Sequence, residues 1–174
     1  MSEESTALCE VTVNIVGVGN TLMGDDGVGP VAVERLAARP LPDGVRLHDA
    51  GLAVSDVLSA LDPAVPLLVI DAVRTGAQPG DVHRIRLADS LFEAGAPAAP
   101  ISLHEISVVP ALRIEALTGR AFTDVTVFGV EPGRVAWGEG LSQPVAAAVD
   151  RLIESVLEHV GAMRTCTPAN EGRS

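Results

Sequence analysis

Apolar and polar positions fall along the chain in blocks that switch between a strand-like and a helix-like period. Val11 to Val18 is β-branched and apolar and runs into Gly17 and Gly19, as a buried strand feeding a tight turn does. A helix is predicted from Val28 to Ala38, with Pro30 in its first turn, where a missing N–H is harmless, and Pro40 and Pro42 closing it. Val45 to His48 predicts a second strand, and Ser55 to Leu61 a short helix capped by Ser55. Leu67 to Ile70 is a continuous aliphatic run, typical of a central strand covered on both faces, and stops at Asp71. Val82 to Leu87 follows a turn with Gly76, Pro79 and Gly80. That gap is barely long enough for a parallel crossover, so an antiparallel strand at the sheet edge is expected.

Leu91 to Pro100, rich in Ala, Pro and Gly, predicts a mobile loop. Ser102 and Glu105 match a capping box, while Pro110 sets the start of regular helix near Ser107; Thr118-Gly119 closes that helix. Val125 to Val130 is the last strand. From Ser142 a long helix carries Val145, Val149, Leu152, Val156 and Val160 as one stripe. Residues 1–10 read as a flexible N-terminus and residues 163–174 as a disordered polar tail, flanking a single domain over 11–162. Strands alternating with helices imply an α/β three-layer sandwich: a mostly parallel twisted sheet of about five strands, one antiparallel edge strand, and helices on both faces.

Composition changes this picture in two respects. Aromatics make up 2% of the 174 residues, with one tryptophan and no tyrosine, so the core is aliphatic. A chain of this length buries roughly 70% of the surface its unfolded form exposes, enough for one domain. The net charge is −11, and all 12 basic residues are arginine. Such a surface repels phosphate backbones and anionic lipid, which argues against nucleic acid and membrane partners and favours a cation or a basic peptide. Cys9 and Cys166 lack metal-ligand spacing and read as ordinary thiols. The acidic opening MSEESTALCE and the lack of any apolar run near ~18 residues predict a cytoplasmic, soluble chain; a monomer is expected.

Gly17-Val18-Gly19 followed by a helix invites a dinucleotide-binding reading. It fails because Leu22 stands where the third glycine belongs, and because Asp25 and Asp26 occupy the end that would receive a pyrophosphate. Two readings of those acids stay open: they cap the helix and complement its dipole, or one of them carries chemistry. Asp71 ends a strand at the carboxyl edge, where open α/β sheets bind ligands at the point of winding reversal. It either faces Asp26 there, or caps a turn or pairs with Arg74. A lone histidine is most often structural, as His48, His83 and the helix-end His159 illustrate. His104 differs in its company: with Asp26 and Asp71 it makes an O, O, N set suited to a divalent transition metal with open positions. There is no G-x-S-x-G elbow and no HExxH helix.

The stretch from Gly17 to Gly29, GVGNTLMGDDGVG, resembles the N-terminal signature of the hydrogenase maturation proteases. Leu67 to Ala72 is similar to that family's second motif and Ser102-Leu103-His104-Glu105 to its third, in matching order from about Val11 to Val160. The resemblance implies an endopeptidase, aspartyl or metal-dependent, that removes the C-terminal extension of a nickel-iron hydrogenase large-subunit precursor after nickel insertion. It implies that Asp26, Asp71 and His104 are at once the metal-recognising and the catalytic residues. The nickel belongs to the nickel-loaded precursor and is not permanently bound. Family members carry Glu or Asp at the first position; Asp26 shortens the reach by one methylene. A further family stretch, Asp followed by Gly-Gly-Thr, is degenerate here as Asp49-Ala50-Gly51-Leu52, and Gly129-Val130-Glu131-Pro132 resembles the exit of the last strand. The alternative reading is a non-catalytic nickel-binding or carrier protein using the same three side chains.

Overall fold

The computed structural model describes residues 13–87 and 106–165. The elements run β1 (Val13–Val18), α1 (Val28–Ala37), β2 (Val45–Gly51), α2 (Val54–Ala60), β3 (Leu67–Ala72), β4 (Val82–Leu87), α3 (Val108–Leu117), β5 (Val125–Val130) and α4 (Gln143–Thr165), with a single 3-10 turn at Asp25–Gly27 before α1. Five strands form one sheet in the order β2-β1-β3-β5-β4. All neighbours pair in parallel except β4, which lies antiparallel to β5 at the edge. The expected α/β sandwich and its antiparallel edge strand are both present.

Every residue of β1, β3 and β5 is buried, as their unbroken aliphatic runs require. The two-residue period of each strand divides its side chains between two cores. Ile15, Leu68, Ile70, Phe128 and Val130 pack with the apolar faces of α1 and α4. Val16, Val69, Val125 and Val127 pack on the other side with α2 and α3. By the same alternation Asp71 sides with Leu67 and Val69, toward α2 and α3.

Close approach of α1 to the sheet depends on glycine. A Cβ on Gly29 would stand 2.2 Å from the carbonyl oxygen of Val18 and 2.5 Å from that of Ile70; one on Gly17 would meet the Gly29 carbonyl at 2.6 Å. The glycines of the N-terminal motif therefore let a helix lie directly across the ends of β1 and β3.

Several boundaries differ from expectation. β2 continues to Gly51 and β3 through Asp71 to Ala72, because pairing with β1 and β5 satisfies their backbones whatever the side chains are. Ser55 does not cap α2: Ala53 holds the cap position and no side chain bonds there. α4 runs to Thr165, so 163–165 belong to the helix and not to a tail. The expected flexible N-terminus at 1–10, the 91–100 loop, the Ser102–Glu105 capping box, Cys9, Cys166, and 166–174 of the expected tail lie outside the described residues. No helix among the described residues is long and apolar enough to cross a membrane.

Candidate active site at the carboxyl ends of β1 and β3

β1 pairs with β2 on one side and with β3 on the other, so the winding reverses between β1 and β3. Ligands of open α/β sheets sit at such a point. Gly19 leaves β1 at φ 129°, and a Cβ there would lie 1.8 Å from the Asp26 carbonyl oxygen, so only glycine lets the chain fold back this tightly. Asn20 then turns the loop by accepting from the Leu22 amide at 3.0 Å, and its own amide donates to Asp26 Oδ2 at 2.8 Å. The half-buried Asp26 is thereby held over the end of β1.

Asp71 is fully buried. Its Oδ2 accepts from the Ser107 amide at 3.0 Å, at the start of α3, where the helix dipole favours negative charge. Its Oδ1 has no hydrogen-bond partner among the described residues. Burial pushes the Asp71 carboxyl up, bonding from Ser107 draws it down, and the charge of Asp26 pushes it up again, leaving it at about 7. No ion pair joins it to Arg74 among the described residues. A groove runs over this point, with Asp26, Gly51, Leu52, Ser107, Pro110 and Ile114 in its walls. Leu52 and Ile114 are exposed at its rim.

The structure thus brings Asp26 and Asp71 together. His104, three positions before Ser107, lies outside the described residues. Among the described residues no group of three or more His, Cys, Asp or Glu is arranged to hold a metal ion.

Asp25 differs from the capping expectation. No side chain caps either the 3-10 turn or α1. Asp25 is fully buried and turns the other way: Oδ2 accepts from the amides of Gly133 and Arg134 at 2.8 and 2.7 Å and from Ser142 Oγ at 2.8 Å, and Oδ1 from the Ser142 amide at 2.6 Å. Burial pushes its pKa up, but bonds from Arg134, Ser142 and Gly133 outweigh burial and hold it below the usual carboxylate value. Glu131 behaves alike, accepting from the Thr75 amide and hydroxyl and the Ala77 amide to fix the turn after β3. No local pattern announces either role, because the donors lie 108 and 56 positions away in sequence.

The remaining histidines of the described residues have structural partners. His48 meets Asn14, His83 meets Thr75, and His159 packs edge-on against Phe128 at 5.7 Å. His159 is not a cation at a helix end: α4 continues past it, and burial lowers its pKa. Asp49 is exposed and holds the Gly51 amide at 3.1 Å, bracing the β2 end of the groove without lining it. Signals for the groove walls existed in sequence only as a serine at a helix start and a Gly-Leu turn, which name no chemistry by themselves.

Residues 30–159 match the model of the hydrogenase maturation protease family. The chain is 31% identical over 160 residues to the hydrogenase expression/formation protein HoxM of Azotobacter vinelandii, covering 91% of this chain and 76% of that protein. It is 32% identical over 151 residues to a putative hydrogenase maturation protease of Methanocaldococcus jannaschii, covering 84% and 94%. The solved hydrogenase maturating endopeptidase HybD of E. coli superposes with a TM-score of 0.70 at 28% identity, over 86% of this chain and 92% of that one. With a family-model match over residues 30–159 and relatives above 30% identity that cover most of the chain, the chain belongs to the hydrogenase maturation protease family and is a peptidase.

Proposed function

We propose that the protein removes the C-terminal extension of a nickel-iron hydrogenase large-subunit precursor once nickel is in place, and that it recognises the nickel through Asp26, Asp71 and His104. The observation that carries this reading is Asp71 Oδ1, a buried carboxylate oxygen without a donor among the described residues, beside a second carboxylate. An orphaned oxygen of this kind is costly unless a proton or a cation meets it. A divalent ion carried in by the precursor meets it and offsets the repulsion between the two acids. On this reading the nickel is part of the substrate, and the scissile segment lies in the groove between Leu52 and Ile114.

Asp71, with its pKa at about 7, is suited to moving a proton near neutrality, whereas Asp26 is held open to the groove by a single backbone bond. The ion would polarise the scissile carbonyl, a carboxylate would take a proton from the attacking water, and that proton would pass to the amine nitrogen as the C–N bond breaks. The protein acts in the cytoplasm as a monomer.

The test is a nickel titration of melting temperature. At about 100 times its dissociation constant, nickel stabilises the fold by roughly 2.7 kcal/mol, a rise of roughly 5–11 °C. Asp26→Asn, Asp71→Asn and His104→Ala each abolish most of that rise. A full nickel response in two of the three variants contradicts a shared site.

A further inference from the structure

Segment 133–142, between β5 and α4, contains no helix or strand, yet it is tied down along its length. Besides the four bonds to Asp25, the Gly24 amide donates to the Gly138 carbonyl at 3.0 Å, the Asp25 amide to that of Arg134 at 2.9 Å, and the Gly138 amide to that of Leu22 at 3.0 Å. Arg134 reaches forward along the strap to the Trp137 carbonyl at 3.3 Å. The strap holds Trp137, the chain's single tryptophan, with 76% of its surface exposed. Leu22, 47% exposed, lies in the turn bonded to it. Scattered exposed apolar residues are ordinary; two on one braced platform beside an active-site loop are not.

We propose that Trp137 and Leu22 form a docking platform for the folded body of the large-subunit precursor, separate from the groove that takes its scissile segment. The proposal rests on the precursor reading above. Its occupant follows from distance. Leu22 and Asp26 are four residues apart, so their backbones are separated by at most about 14 Å. A standard protein interface buries about 800 Å² on each side, a disc of roughly 16 Å radius. A folded precursor that brings its scissile bond to Asp26 therefore reaches Leu22, and Trp137 adjoins it through the Gly138 amide that donates to the Leu22 carbonyl. An exposed tryptophan on a rigid support suits that task, since it adds contact area with little ordering entropy, and tryptophan is enriched among residues that dominate interface energies.

The experiment is steady-state cleavage of the nickel-loaded precursor by wild type, Trp137→Ala, Trp137→Phe, Leu22→Asp and, as a control on the exposed face of α4, Glu154→Ala. Trp137→Ala and Leu22→Asp are expected to raise KM by roughly 30-fold, the equivalent of about 2 kcal/mol, with kcat within about twofold of wild type. Trp137→Phe recovers most of the loss, Glu154→Ala changes neither constant, and melting temperatures stay together because the altered side chains are exposed. A wild-type KM in Trp137→Ala, or a loss confined to kcat, overturns the proposal. So does sedimentation showing that Trp137→Ala converts a dimer to a monomer while KM is unchanged, which assigns the platform to a second copy of the chain. Calorimetric binding of the same precursor separates this proposal from the reading beneath it. Wild type that binds without cleaving, with affinity lost in Trp137→Ala, upholds the platform and overturns the cleavage reading; wild type that does not bind overturns both.

Discussion

Asp71 occupies a strand position where its carboxyl is shut off from water, and one of its two oxygens has no donor among the described residues. The linkage to stability follows from the direction of its shift. A carboxyl raised from 3.8 to about 7 binds its proton more tightly in the folded chain, so its stabilising contribution is complete below pH ~4 and is lost as pH rises through 7. The span corresponds to roughly 4 kcal/mol. His48 and His159 are lowered by burial and act oppositely, adding stability as pH rises through the ordinary histidine range. The readout is therefore the difference between wild type and Asp71→Asn. Without metal, Asp71→Asn should be the more stable protein at pH 8 and lose that advantage by pH 5, as measured by chemical denaturation at each pH. A constant difference across that range contradicts the raised pKa. Asp26 was legible as a candidate because it stands at a helix start in the glycine-rich loop that leaves β1, and Asp71 because it follows the aliphatic run of a central strand. The role of Asp25 was not, because a carboxylate next to a helix start looks like a cap until its donors at Gly133, Arg134 and Ser142 are in place.

At the scale of elements, hydrophobic period fixed the strands well and their ends poorly. β4 and β5 fall where their apolar pattern predicts, whereas β2 and β3 run on through Asp49 and Asp71 because neighbouring strands supply the hydrogen bonds. The glycine-rich motif was legible as a turn; its packing role was not, since Gly17 and Gly29 meet only once α1 folds over β1. Gly29→Ala should force α1 off the carbonyls of Val18 and Ile70 and cost about 3 kcal/mol or more, with loss of cleavage because α1 follows the loop that carries Asp26. Gly76→Ala, at φ 82° with nothing within 4 Å of its added Cβ, should cost only about 1 kcal/mol and leave cleavage intact. Equal destabilisation of the two variants, measured by urea midpoints, contradicts the close-packing account.

For the whole molecule, the sheet order puts the reversal of winding between β1 and β3, and both acidic motifs are delivered to that point by strands 53 positions apart in register, Asn14 opposite Leu67 being the first pair. The net charge of −11 and the paired acids suit a cationic cargo, and the braced loop beside them presents the chain's single tryptophan outward. Fold class and edge strand were legible in the chain because local period and gap length determine them. Convergence of distant residues on one cleft depends on topology, which no local pattern encodes.

On the proposed function, cleavage requires both the precursor's nickel and the paired carboxylates. The most direct measurement is a time course of intact mass on one precursor prepared with and without nickel, incubated with wild type and with Asp71→Asn. Wild type is expected to shorten only the nickel-loaded form, at a single C-terminal bond, and Asp71→Asn to leave both forms at full length. Cleavage of the nickel-free precursor at the same rate, or a wild-type rate in Asp71→Asn, would contradict the proposed function.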